Sequence, residues 1–264
     1  MELSLQGRRA LVTGSTAGIG LAVARGLAGL GASVVVNGRT RERVHEAVEA
    51  VSQAVPGADV SGVAADLGDA KGVARLVGAI PDADILVNNL GIFEPRAFEE
   101  ISDADWQRMF ETNVMSGVRL SRHHFPRMKA RGWGRVVFVS SESAVQIPAE
   151  MIHYGVTKTA QVALARGMAE TTVGTGVTVN SVLVGPTRSE GVGTFVERLA
   201  RERGVSAAEQ ERDFFHDARP TSLLKRFITV DEAASMIVYV CTPAAAATNG
   251  SALRVDGGVV RAVL

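Results

Sequence analysis

Cysteine is all but absent from this 264-residue chain: Cys241 stands alone, which rules out an internal disulfide and a thiolate-held metal cluster. A single thiol of this kind reads as a small buried apolar residue. Net charge is absent as well, because 28 Lys and Arg balance 28 Asp and Glu, so there is no strong field to draw in nucleic acid or anionic lipid. Long apolar runs are missing. No stretch of about 18 apolar residues occurs, and residues 1–9 lack the apolar core of a signal peptide, which predicts a cytoplasmic protein with no membrane partner. The five histidines (His45, His123, His124, His153 and His216) fall at no metal-ligand spacing, so no metal is expected. There is no internal repeat and no low-complexity segment.

What is present is ample apolar material, 46% of the residues, enough for one domain spanning residues 1–264. Short β-branched runs alternate with helical patterns. Strands are expected at residues 10–13, 34–36, 59–64, 85–87, 136–139, 177–179 and 252–255. Helices are expected at 19–30, 42–53, 71–79, 103–129, 151–173 and 231–241. Several strands are apolar on successive residues, as a parallel sheet covered on both faces requires. The expected fold is therefore α/β, a Rossmann-type doubly wound parallel sheet. Residues 187–222 interrupt the alternation, and their interior carries helical patterns at 194–203 and 207–216; this stretch is read as a lid over a ligand site.

Between the first strand and the first helix runs Thr13-Gly14-Ser15-Thr16-Ala17-Gly18-Ile19-Gly20. Glycines there let the backbone approach a pyrophosphate, and the helix N-terminus offers free N–H groups and partial positive charge. A carboxylate for the ribose hydroxyls would stand about 20 residues on. Here the chain has Asn37-Gly38-Arg39, and the planar guanidinium of Arg39 suits the 2′-phosphate of NADP(H). NADP(H) is thus preferred, with NAD(H) possible.

Tyr154 and Lys158 are four apart in a helical pattern, so phenol and ammonium share a helix face. A phenol of pKa about 10 is a poor base near neutrality, and nearby positive charge lowers it. Ser141 ends the fifth strand, at the edge where open parallel sheets bind ligands, and its hydroxyl can hold a substrate oxygen against the phenol. Glu142 and Ser143 follow directly and are pocket candidates, as are Phe93 and Met151.

Thr13 to Gly20, Asp66-Leu67, Asn88-Asn89-Leu90-Gly91, Asn113, Ser141, Tyr154 with Lys158, and Asn180-Ser181-Val182 occur together and in order. In this the chain resembles a classical short-chain dehydrogenase/reductase over essentially its whole length. The resemblance implies that Tyr154 is the general acid/base, that Lys158 binds the nicotinamide ribose and lowers the phenol's pKa, and that Ser141 polarises the substrate oxygen. It implies that Asn113 holds a water linking Lys158 to solvent. It further implies cofactor contacts from Gly14, Ser15, Thr16, Gly18, Ile19 and Gly20, from Asp66, Leu67, Asn89 and Gly91, and from Thr187 and Ser189 at the nicotinamide end. Family members form dimers or tetramers, so a homo-oligomer is expected.

Two positions depart from the family pattern. Leu90 replaces the usual alanine, and Val184 stands where a Pro-Gly turn is usual, the proline following at Pro186. The implied activity is reversible hydride transfer between NADP(H) and a carbonyl/alcohol pair. A non-catalytic nucleotide-binding sensor and an epimerase or dehydratase are the alternatives that fold alone leaves open.

Overall fold

Short β-branched and apolar runs pair in parallel to form the sheet, as a computed structural model describing residues 1–263, the Phe195 side chain excepted, makes explicit. The strands are β1 (Arg9–Val12), β2 (Ser33–Gly38), β3 (Val60–Ala64), β4 (Ile85–Asn88), β5 (Gly134–Ser141) and β6 (Val177–Val184). A two-stranded excursion, β7 (Thr187–Arg188) with β8 (Ile228–Thr229), precedes the edge strand β9 (Ala252–Val255). In the main sheet the order is β3-β2-β1-β4-β5-β6-β9, every pairing parallel. The order reverses beside β1, and the crevice between β1 and β4 is where a doubly wound sheet receives its ligand.

The helices are α1 (Gly18–Gly29), α2 (Arg41–Ala54), α3 (Ala70–Ala79), α4 (Asp103–Phe110), α5 (Ser116–Arg131), α6 (Ile152–Ala169), α7 (Glu190–Arg203), α8 (Ala207–Asp217) and α9 (Val230–Cys241). Alternate residues of the strands point to opposite faces. Val12, Val34, Val36, Val87 and Val137 pack with residues of α1, α2 and α9 on one side, while Leu11, Val35, Leu86, Val136 and Phe138 pack with α3, α5 and α6 on the other. β5 and β6 are buried along their whole length, in keeping with the consecutive apolar residues at 136–139 and 182–184.

The expected long helix at 103–129 is present but not uniform. Its capping box at Ser102 and Asp105 starts it, a π-helical turn over Glu111–Met115 widens it, and Gly132 in the left-handed region ends it. Val184 pairs with Ser141 and Val255, so the strand runs one residue further than a proline there would allow. Residues 187–222 form β7, α7 and α8, whose side chains Val192, Val196 and Phe214 gather with Phe215 and Phe227 into a small apolar cluster of their own. Among the described residues no helix is long and apolar enough to cross a membrane, and no group of His, Cys, Asp and Glu is placed to hold a metal. Burial pushes the Cys241 thiol up to about 12, in keeping with a packing role.

Candidate active site

The turn after β1 is built for close approach. Gly18 has φ +58°, and a Cβ on Gly20 would lie 2.5 Å from Asn89 Nδ2 and 2.6 Å from the Gly14 carbonyl oxygen. Ala17, which precedes α1, offers no side-chain cap, so the first N–H groups of that helix face the crevice without a protein acceptor at their cap. These features fit a dinucleotide pyrophosphate. Asn89 Nδ2 donates to the carbonyls of Thr13 and Gly14 at 2.9 and 3.0 Å, and Thr13 Oγ1 accepts the N–H groups of Asn89 and Leu90, each at 3.0 Å. Leu90, the bulkier residue in place of alanine, packs against the sheet and keeps its main-chain donor engaged.

Ser15 sits differently from its expected role. It is fully buried, donates to the Val12 carbonyl at 2.7 Å and accepts the Asn37 N–H at 2.9 Å, so its hydroxyl braces the turn. Asn37, which carried no signal in the sequence, is the partner: its Nδ2 reaches the Val63 and Ala65 carbonyls, each at 3.1 Å, and ties β2 to β3 behind the turn. Arg39 lies exposed just beyond β2, where Gly38 abuts Thr16. Asp66 is exposed and accepts the Gly68 N–H at 3.0 Å, Leu67 is buried, and the cap of α3 is Asp69. Ser189 caps α7 within 3.4 Å of where a Gly18 Cβ would stand, which brings the start of the lid segment over the glycine turn.

Ser141, Tyr154 and Lys158 come together at the carboxyl edge of β5. α6 carries the phenol and the ammonium on one face, with Lys158 Nζ 5.6 Å from the Tyr154 ring centre. Lys158 is buried; Nζ donates to the Val139 carbonyl at 2.9 Å and to Gln161 Oε1 at 3.2 Å. Burial lowers its pKa to about 8. The phenol is pushed well above its ordinary value, first by burial and then by the Glu142 carboxylate, against which its contact with the Ser141 hydroxyl and the charge of Arg219 work more weakly. In the protein alone burial outweighs the surrounding charges in setting the phenol, while the Lys158 ammonium is held by Val139 and Gln161.

Asn113 lies in the π-helical turn, buried. Its Oδ1 accepts the Ile92 N–H at 2.7 Å, and its Nδ2 donates to the Ile92 carbonyl at 2.9 Å and Thr157 Oγ1 at 3.0 Å. Gln161 Nε2 donates to its main-chain carbonyl. Gln161 therefore bridges Lys158 and Asn113, the line on which a water was expected; a polar residue on the inward face of α6 was its only sequence signal. Gly91 borders this group, its missing Cβ 3.3 Å from Lys158 Nζ.

Around the phenol opens a cleft of about 450 Å³. Phe93 meets the Tyr154 ring edge-on at 6.2 Å, and Ser143, Met151, Thr187, Ser189 and Phe214 line the walls. The floor carries an ion pair that no sequence spacing announces: Arg219 Nε donates to Glu142 Oε1 at 3.0 Å across 77 positions of chain, with both side chains more than nine-tenths buried.

Compared with known proteins, residues 8–199 match the family model for short chain dehydrogenase. The chain is 45% identical, over 100% of both chains, to the uncharacterized oxidoreductase YvaG of Bacillus subtilis. It is 32% identical to a D-beta-hydroxybutyrate dehydrogenase of Cupriavidus necator, over 97% of this chain and 99% of that one. The fold superposes with a TM-score of 0.93 on L-sorbose reductase from Gluconobacter frateurii complexed with NADPH and L-sorbose, at 32% identity and 100% coverage of both chains.

Proposed function

This chain belongs to the short chain dehydrogenase family and is an NAD(P)-dependent oxidoreductase, and on that premise we propose that it transfers hydride between NADP(H) and a carbonyl or secondary alcohol with Tyr154 as the acid/base. The observation that carries the reading is the convergence of Ser141, Tyr154 and Lys158 beside the glycine turn, in one cleft of about 450 Å³. Bound along the crevice, the nicotinamide supplies or accepts the hydride. The chain's own residues do the rest. Gly14, Gly18 and Gly20 make room for the pyrophosphate, Ile19, Asn89, Gly91, Thr187 and Ser189 frame the groove, and Thr16 is the residue of the turn we assign to the phosphates. Arg39 is the residue we assign to the 2′-phosphate, and Asp66 and Leu67 to the adenine end.

In carbonyl reduction a neutral phenol is the form required, since it must give a proton to the developing alkoxide. Burial and Glu142 both hold Tyr154 in that form. Phe93, Ser143 and Met151 border the reacting group, and residues 187–222 act as the lid that excludes water over it. We assign the protein to the cytoplasm and to a homo-oligomer, a tetramer or dimer; a monomer by light scattering at micromolar concentration would remove the latter assignment. The overall reading is tested by following absorbance at 340 nm with a panel of ketones and alcohols and each nicotinamide. Turnover with NADPH is expected, and binding of NADPH without reduction of any panel member would overturn the reading.

A further inference from the structure

The hydroxyl that is to hold the substrate oxygen has already spent its proton. Ser141 Oγ donates to Glu142 Oε2 and accepts the Ser143 N–H at 3.1 Å. A hydroxyl has one proton and two lone pairs, so while this bond stands Ser141 meets an incoming ligand only as an acceptor. The carboxylate is held in place from behind. Arg219 binds Glu142 through Nε and binds Glu150 Oε1 through Nη1 at 3.1 Å, with the Ala218 carbonyl at 2.8 Å completing its partners. One guanidinium thus faces two carboxylates, the buried Glu142 and the half-exposed Glu150, while the Lys158 ammonium lines the same cleft. Glu142 itself lines the cleft, so its Oε2 can accept a hydrogen bond from an incoming ligand.

We propose that the substrate is an α-hydroxy ketone, or in the reverse direction the matching vicinal diol, whose second hydroxyl donates to Glu142 Oε2 in place of Ser141 Oγ, which leaves the Ser141 proton for the reacting oxygen. The inference rests on the hydride-transfer reading above. A hydroxyl on the neighbouring carbon sits one hydrogen-bond length from the reacting oxygen, the same separation that Ser141 Oγ keeps from Glu142. The carbonyl carbon gains a hydride from the reduced dinucleotide and its oxygen gains the Tyr154 proton, giving the diol; the protons of Ser141 and of the second hydroxyl change partners without leaving. Phe93, Met151 and Phe214 give the cleft apolar wall, so the remainder of the substrate is a hydrocarbon arm.

The test compares kcat/KM with NADPH for 3-hydroxybutan-2-one and for butan-2-one. The hydroxy ketone is expected to be favoured by roughly 10- to 100-fold, as for a hydrogen bond to a charged group. In Glu142→Ala that ratio is expected to collapse toward 1, whereas a purely structural role would lower both substrates alike and keep the ratio. A measurement free of turnover runs beside it: with NADP⁺ present, butane-2,3-diol is expected to raise the melting temperature more than butan-2-ol in the wild-type protein. Equal kcat/KM for the two ketones, or equal shifts by the two alcohols, would overturn the inference while leaving hydride transfer intact. Reduction of neither ketone, with NADPH bound, would overturn both.

Discussion

Gln161 accepts the buried Lys158 ammonium at 3.2 Å, and through the other end of the same amide it holds the main-chain carbonyl of Asn113. The amide has one orientation that satisfies both neighbours, so the lysine is fixed by a side chain. Removing the acceptor makes the charged form of Lys158 less favourable, and adding a negative charge makes it more so. The pH limb of kcat/KM that reports Lys158, near 8 in the protein alone, is therefore expected to move down in Gln161→Leu and up in Gln161→Glu. Superimposable limbs in all three proteins would show that Gln161 does no more than fill space. The leucine variant also orphans a buried carbonyl and is expected to lose about 1–3 kcal/mol of stability in urea unfolding.

Tyr154→Phe removes the proton that the reacting oxygen needs and leaves the ring's edge-on packing against Phe93 in place. Turnover is expected to fall by about 10² to 10⁴-fold, with NADPH affinity by fluorescence titration nearly unchanged. Near-normal turnover would assign the proton to another group.

Arg39 lies exposed beyond β2, and among the described residues no carboxylate forms an ion pair with it. Arg39→Asp is expected to weaken NADPH binding by at least about tenfold, the scale of one charge-assisted hydrogen bond, with little effect on NADH. The two dissociation constants, measured before and after, decide it; an unchanged ratio would place the 2′-phosphate elsewhere.

His124 is fully buried, and neither ring nitrogen has a hydrogen-bond partner. Burial, helped by His123 and Arg127, lowers its pKa to about 4. The folded form therefore resists a proton that the unfolded chain accepts near 6.5. Stability is expected to be full above pH 6.5 and to decline as pH falls from there toward 4, by up to roughly 3 kcal/mol. Urea unfolding at pH 7.5 and pH 5 measures the drop, and His124→Leu should lessen it. An identical pH dependence in the variant would trace the drop to the carboxylates.

The fold and the reacting pair were legible because their signals are local. Alternating apolar runs give the strand order its raw material, and a spacing of four on one helix sets Tyr154 beside Lys158. The glycine turn announces itself in eight consecutive residues. What stayed hidden depends on partners far along the chain. Arg219 meets Glu142 across 77 positions, Gln161 meets Asn113 across 48, and Asn37 reaches Ala65 across 28. The sign of the Tyr154 shift was hidden for the same reason: it is set by the depth of burial and by a carboxylate whose orientation Arg219 controls.

The π-helical turn at Glu111–Met115 has a consequence for how this helix tolerates change. It holds one residue more than regular winding needs, and each residue of an α-helix advances about 100° around the axis. Deleting a single residue there would return the winding to the regular one and leave Leu120, Phe125 and Met128 facing the sheet they cover, whereas a deletion within the regular turns of α5 before them would swing them by that angle. The irregular turn that presents the Asn113 carbonyl thus carries its surplus residue without disturbing the core, so a one-residue deletion at this point is expected to be read first as lost activity and only second as misfolding.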